Sequence, residues 1–154
     1  MIRLLETVKD PELPVLTIRD LGILRDVFRE AEEGTWVIRI TPTYSGCPAM
    51  DAIATQIRMT LYAADITSFR IETVLSPAWT TDWMSEEGKE KLRAYGIAPP
   101  GRVSALLEGH ETTVACPRCG SKDTTCLSEF GSTACKSLYR CEACREPFDH
   151  FKCH

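Results

Sequence analysis

The chain has 154 residues, 44% of them hydrophobic and 26% charged, with a net charge of −4. This globular composition excludes wholesale disorder and suits one ordinary domain with a small appendage. Residues 102–154 carry seven basic and seven acidic side chains, so the acidity belongs to 1–101 and neither part has the basic footprint of a nucleic-acid binder.

The opening Met-Ile-Arg-Leu-Leu-Glu-Thr-Val-Lys mixes charges into its apolar stretch, unlike a secretory signal. No apolar run approaches the ~18–20 residues that cross a bilayer, so no membrane association is expected. Seven of the eight cysteines lie after residue 115, and in a leaderless chain that pattern favours metal thiolates over disulfides and a cytoplasmic setting.

Met1, Leu4, Leu5 and Val8 recur at helical spacing, which predicts a short amphipathic helix ending at Asp10-Pro11. Apolar residues over 18–29 and the run Thr35-Trp-Val-Ile-Arg-Ile-Thr41 predict two antiparallel strands joined by the polar stretch 30–34. After a loop over 42–48, Met50, Ile53, Ala54, Ile57, Leu61 and Ala64 form one stripe of a helix that starts at Pro48. A third strand is expected over 67–75, then an aromatic loop containing Trp79 and Trp83, and a polar helix over 85–95 ending at Gly96. Trp79 and Trp83 read as core or interface residues ahead of a ligand platform. Pro99-Pro100-Gly101 marks a boundary, giving an α+β domain over 1–101, a small mixed sheet with helices on one face, and a cysteine-rich domain over 102–154.

Cys116-Pro-Arg-Cys119-Gly and Cys141-Glu-Ala-Cys144 are two Cys-x-x-Cys pairs at the separation of a zinc ribbon. Each pair turns tightly, Gly120 relieves the bend, and four thiolates make the closed tetrahedral shell of a structural zinc. Iron competes for the same four sulfurs, because spacing does not separate the metals. Short strands are expected over 124–130 and 137–140. Cys126, Cys135 and Cys153 read as small buried hydrophobes. A second metal site on Cys135 and Cys153, with His154 or His150, is the sharper reading of two of them. His110 falls in the linker.

Cys47 directly precedes Pro48 and is expected at the cap of the second helix, where backbone N–H groups and the helix dipole favour a thiolate. Thr43, Tyr44 and Ser45 add hydroxyls beside it. The bland alternative is a cysteine that merely caps the helix. Asp10, before proline, reads first as a turn former.

Asp10-Pro-Glu-Leu13, Leu21-Gly-Ile-Leu24 and Thr41-Pro-Thr-Tyr-Ser-Gly-Cys47-Pro48 resemble the domain of SufT-like iron–sulfur assembly factors. With Pro77-Ala-Trp-Thr-Thr-Asp-Trp83, Phe130-Gly-Ser-Thr-Ala-Cys-Lys136 and the segment 148–153, nearly the whole chain resembles the PaaD family, small subunits associated with the bacterial phenylacetyl-CoA ring-epoxidase, a multicomponent monooxygenase of phenylacetate degradation. The resemblance implies an accessory role in maturing iron or iron–sulfur centres, with Cys47 as the reactive, metal-transferring cysteine and Asp10 as its acidic partner. It implies as partners the epoxidase oxygenase or reductase subunits and iron–sulfur assembly proteins, and transient iron or a cluster as cargo, shared with a partner or across a homodimer. Two other functions stay open: an iron–thiolate electron carrier to the oxygenase, and a zinc-ribbon adaptor without metal delivery. Catalysis by this chain alone is not expected, since it offers no cofactor loop, no carboxylate–histidine di-iron pattern and no cysteine–histidine dyad.

Overall fold

The computed structural model describes residues 1–101 and 113–152. His110, Cys153 and His154, and with them half of the second metal site expected at Cys135 and Cys153, lie outside the described residues. The elements run α1 (Ile2–Leu5), β1 (Leu24–Arg29), β2 (Trp36–Ile40), α2 (Ala49–Tyr62), β3 (Phe69–Thr73), a 3-10 turn (Thr81–Trp83), α3 (Glu86–Tyr95), β4 (Ile97–Ala98), β5 (Thr124–Ser128), β6 (Lys136–Cys141) and β7 (Pro147–Phe151). No helix among the described residues is long and apolar enough to cross a membrane.

The chain forms two compact units. The first comprises Met1–Trp79 and Trp83–Ser85, the second Thr80–Asp82 and Glu86–His154. The sequence places its boundary at 101, at the proline pair. The compact units divide earlier because β4 pairs in parallel with β7 and so ties the segment after α3 to the cysteine-rich sheet.

In the first unit β1 and β2 are antiparallel and β2 and β3 parallel, the mixed sheet expected from the sequence. Ile38 and Ile40 of β2 alternate onto one face with period two, and Ile53, Ile57 and Leu61 form the buried stripe of α2; all five are at most 1% exposed. Full burial of each such side chain stabilises the unit by about 1.5–3 kcal/mol before entropy is counted. The other face of the sheet carries a relay of opposite charges, in which Glu30 pairs with Arg70, Arg70 and Arg39 both reach Glu72, and Arg39 approaches Asp26. Arg70 hydrogen-bonded to Glu30 holds that carboxyl below its ordinary range, as Arg39 and Arg70 do for Glu72.

Two expected elements are shorter than their patterns suggest, because the segments beside them make other hydrogen bonds. The opening helix ends at Leu5, and the chain then extends so that Ile18 N–H reaches the Val8 carbonyl and Asp10 N–H the Leu16 carbonyl. The first strand begins at Leu24 rather than 18, because the Asp20 carboxylate accepts from the N–H and hydroxyl of Thr17 and folds 17–22 into a turn. That turn ends at Gly22, at φ +70°, where an added Cβ would lie 2.6 Å from the Trp83 carbonyl oxygen. Trp79, 5% exposed, donates its indole N–H to the Leu21 carbonyl at 2.8 Å, and Trp83 lies under the Arg25 guanidinium at 3.4 Å. Both tryptophans thus pack on the Leu21-Gly22 turn of the first unit, Trp79 buried and Trp83 half-buried, where the sequence reads core or interface residues.

The second unit holds α3 and a four-stranded sheet in the order β4-β7-β6-β5. The polar helix expected among the first domain's helices belongs here instead. Around the cysteine knuckles, Cys116, Cys141, Phe148 and Ala98 form a small buried cluster, with Val114, Tyr139 and Cys144 packed around them; Leu92, Ile97, Cys135 and Phe151 of the same unit are buried as well. Two of the four side chains in that cluster are cysteines, so the knuckle region has little apolar material of its own and suits a metal staple.

Candidate metal centre and the cysteine at the helix mouth

Two knuckles build the cysteine quartet. Cys116 N–H donates to the Ser121 carbonyl and Gly120 N–H to the Cys116 carbonyl, both at 2.9 Å, which wraps the first knuckle back on itself. Gly120 takes φ +76° with open space around it, so glycine is required there by conformation and not by crowding. The second knuckle repeats the bend without glycine: Arg145, one residue past Cys144 as Gly120 is one past Cys119, holds φ +65°. No signal in the sequence marks that correspondence.

The four sulfurs of Cys116, Cys119, Cys141 and Cys144 all lie within 4.8 Å of one another, with Cys116 to Cys144 at 3.8 Å and Cys119 to Cys141 at 3.5 Å. A tetrahedral shell with metal–sulfur bonds of about 2.3 Å sets its sulfurs about 3.8 Å apart. The donor set therefore fits one ion with little movement. The same crowding shifts three of these thiols in different directions. A backbone N–H from Cys144 aimed at the Cys141 sulfur brings that thiol down to about 7 against the pull of burial. At Cys119 the backbone hydrogen bond at Ser121 works downward, but the neighbouring Cys141 sulfur, burial and the other two sulfurs outweigh it and push the thiol up to about 12. At Cys144 the Glu146 backbone likewise lowers, and burial and the Cys141 sulfur raise it overall. A divalent cation held by sulfurs this close displaces the protons they carry.

Cys47 lies outside this quartet, in the first unit. The loop before it turns at Gly46 (φ +79°), and Cys47 N–H donates to the Tyr44 carbonyl at 3.2 Å. The sequence expects Cys47 itself in the cap position; the structure assigns the cap to Pro48 and begins α2 at Ala49. The difference is one residue. Pro48 already has helical angles (φ −68°, ψ −19°), and Met50 N–H donates to the Cys47 carbonyl, so Cys47 stands at the helix mouth. Its side chain is half-buried, as is that of Thr43 in the same loop.

Asp10 is 6% exposed, and its Oδ1 accepts from the N–H groups of Glu12 at 2.9 Å and Leu13 at 2.7 Å. That is the turn-forming role read from its position before proline. Cys135 is buried, its sulfur 3.0 Å from the Thr133 hydroxyl, and its carbonyl accepts from Lys152 N–H. Cys126, expected as a small buried hydrophobe, is instead exposed on β5. His150 pairs through Nδ1 with the Ser137 hydroxyl at 3.2 Å, and burial lowers its pKa to about 4. The side chain of Lys136 is only 7% exposed, with its ammonium 4.0 Å from Asp149; nothing in the sequence marks that burial.

An α+β domain with a cysteine loop at a helix mouth, followed by a four-cysteine ribbon, defines the class: iron–sulfur assembly domain plus zinc-ribbon domain. Family models agree in both parts, with residues 2–66 matching the iron–sulfur cluster assembly protein family and residues 100–152 the PaaD zinc beta ribbon domain. The Escherichia coli (strain K12) protein assigned as the D component of a 1,2-phenylacetyl-CoA epoxidase is 53% identical over 151 residues, covering 97% of this chain and 89% of that protein. The chain belongs to this PaaD family. An Fe-S protein maturation auxiliary factor of Porphyromonas gingivalis is 36% identical over 60% of this chain and 87% of its own length. A crystal structure of the domain of unknown function DUF59 from Bacillus anthracis superposes with a TM-score of 0.53 at 32% identity, covering 58% of this chain and 85% of that one.

Proposed function

We propose that this chain is an accessory subunit of a phenylacetyl-CoA epoxidase, assisting assembly of the iron or iron–sulfur centre in the oxygenase or its reductase. The observation that carries this function is the pairing, in one chain, of an iron–sulfur assembly domain with the ribbon of an epoxidase-associated family. The chemistry divides between the two kinds of cysteine. Four sulfurs that converge on one point hold an ion permanently, as a folding staple; zinc, with no redox chemistry and a preference for four-coordinate thiolate shells, suits that role. A half-buried thiol at a helix mouth supplies one ligand, too few to retain iron or a cluster alone. Ligation through Cys47 is therefore completed by a partner, and release follows when the partner takes over the remaining bonds. Thr43 belongs to the same loop and borders that exchange. Asp10 acts at one remove, as a positioning residue that fixes the turn before Leu13.

The test is expression of the oxygenase and reductase subunits with and without this chain, followed by iron analysis of each purified subunit. One of them should be iron-poor when the chain is missing. Equal iron in both preparations contradicts the assembly role. An iron-loaded ribbon with a visible thiolate-to-iron absorption band would instead favour electron transfer.

A further inference from the structure

We propose that the cleft between α1 and β1 is a carboxylate-binding site, in which Arg25 clamps the acid and apolar side chains receive the body that carries it. The cleft has a volume of about 210 Å³ and is lined by Ile2, Arg19, Leu24, Arg25, Asp26 and Val27. All six belong to the first unit, and none is part of the cysteine quartet or of the loop that holds Cys47. Arg25 owes its position to a β-bulge. Leu24 pairs with Ile40 and Asp26 with Arg39, so three residues of β1 stand against two of β2, and Arg25 is the extra one. A bulge of this kind breaks the alternation of the strand and re-aims a side chain.

Here the guanidinium lies over the Trp83 indole, 3.4 Å from the ring centroid. Trp83 is held in turn by Gly22, whose missing side chain leaves room for the Trp83 carbonyl. A stacked guanidinium keeps its N–H groups in its own plane, as a fork that matches a carboxylate. Among the described residues no carboxylate pairs with Arg25. The other charges at the cleft are already answered. Arg19 pairs with Glu6, while Asp26 accepts from Val27 N–H at 2.9 Å and has the Arg39 guanidinium at 4.0 Å. Arg25 is the cation left over, fixed in place before any ligand arrives. Ile2, 50% exposed, with Leu24 and Val27, offers hydrocarbon beside it. A cleft smaller than the ~300–1,000 Å³ of drug-sized pockets admits one short acyl or aryl group. The ligand is therefore a carboxylate on a small apolar body, either free or presented by an acidic residue and its apolar neighbour on a partner protein.

Sodium hexanoate is the probe, titrated into the full metal-loaded chain and followed by the methyl NMR signals of Ile2, Leu24 and Val27. These signals should shift with hexanoate and far less with 1-hexanol, which has the body without the charge. Arg25→Gln should weaken hexanoate binding by about tenfold or more. Arg25→Lys keeps the charge but loses the fork and the flat stack, and should restore little of the binding. Arg25 is exposed, so both variants should melt as wild type does. A second arm replaces hexanoate with each purified epoxidase subunit. If only a subunit moves the signals, and Arg25→Gln abolishes that shift, the acid belongs to the partner protein and the assignment holds. Equal binding of hexanoate and 1-hexanol, an Arg25→Gln variant that binds as wild type does, or signals that neither hexanoate nor any subunit moves would each overturn the proposal.

Discussion

Arg145 shows how much a single backbone angle carries. A non-glycine residue in the left-handed region costs roughly 1–2 kcal/mol, and Arg145 sits there where the first knuckle uses Gly120. Its exposed ion pair with Glu142 returns little of that. Arg145→Gly should therefore raise the stability of the ribbon by about 0.5–1 kcal/mol, after the extra freedom of glycine in the unfolded chain is subtracted. A urea titration of the second unit's signal checks it; a lower midpoint would contradict it. His150 gives a pH signature. Its folded pKa, about 4, lies below the ordinary value of 6.5, so the unfolded chain takes up the proton first. The stability this provides is complete above 6.5 and declines as pH falls from there towards 4. His150→Gln should flatten that slope in thermal melts recorded across the window, with the four ribbon cysteines intact; an unaltered slope would assign the loss elsewhere.

Among the elements, the turns decide where strands and helices begin. The hydrophobic periodicity of α2 and β2 was legible because burial on one face requires it. The start of β1 and the end of α1 were not, because they depend on contacts across a turn, the Asp20 carboxylate on Thr17 and the backbone pairing of Val8 and Asp10 with Ile18 and Leu16. A polar side chain's partner does not appear in a periodicity. The same holds for Gly22, whose spacing is ordinary but whose absent side chain lets Trp83 close over it. Gly22→Ala combines a left-handed backbone with an approach of 2.6 Å to the Trp83 carbonyl oxygen, and should cost about 2 kcal/mol or more. Chemical denaturation followed by tryptophan fluorescence reads that loss directly, since Trp79 and Trp83 pack at the site. A variant as stable as wild type would mean that the Trp83 segment is not held there. β7 escaped the sequence pattern for a related reason: Pro147-Phe-Asp-His-Phe151 alternates weakly, and its pairing with β6 and β4 is long-range.

For the whole molecule, the cysteine arithmetic was the most legible feature, because four thiolates on one ion demand a fixed spacing within each knuckle. The quartet converges as that spacing requires. The division into compact units was less legible, since a proline pair marks a bend while the pairing of β4 with β7 carries the chain on into the ribbon. Stability of the cysteine-rich part of the second unit should depend strongly on its ion. Cys116→Ser removes one of the four sulfur ligands, and the variant should lose its bound metal and the cooperative unfolding of the ribbon, while the first unit keeps its core. Metal analysis together with a two-wavelength melt separates these outcomes, and a ribbon that melts cooperatively without metal would contradict the staple.

The two kinds of cysteine should fail in different ways. The direct measurement is zinc in this chain and iron in the co-expressed epoxidase subunits, for wild type and for Cys47→Ser. Zinc at the wild-type level in the variant, with iron-depleted epoxidase subunits, is the predicted result. Full iron loading of every subunit alongside Cys47→Ser would contradict a delivery role for that thiol.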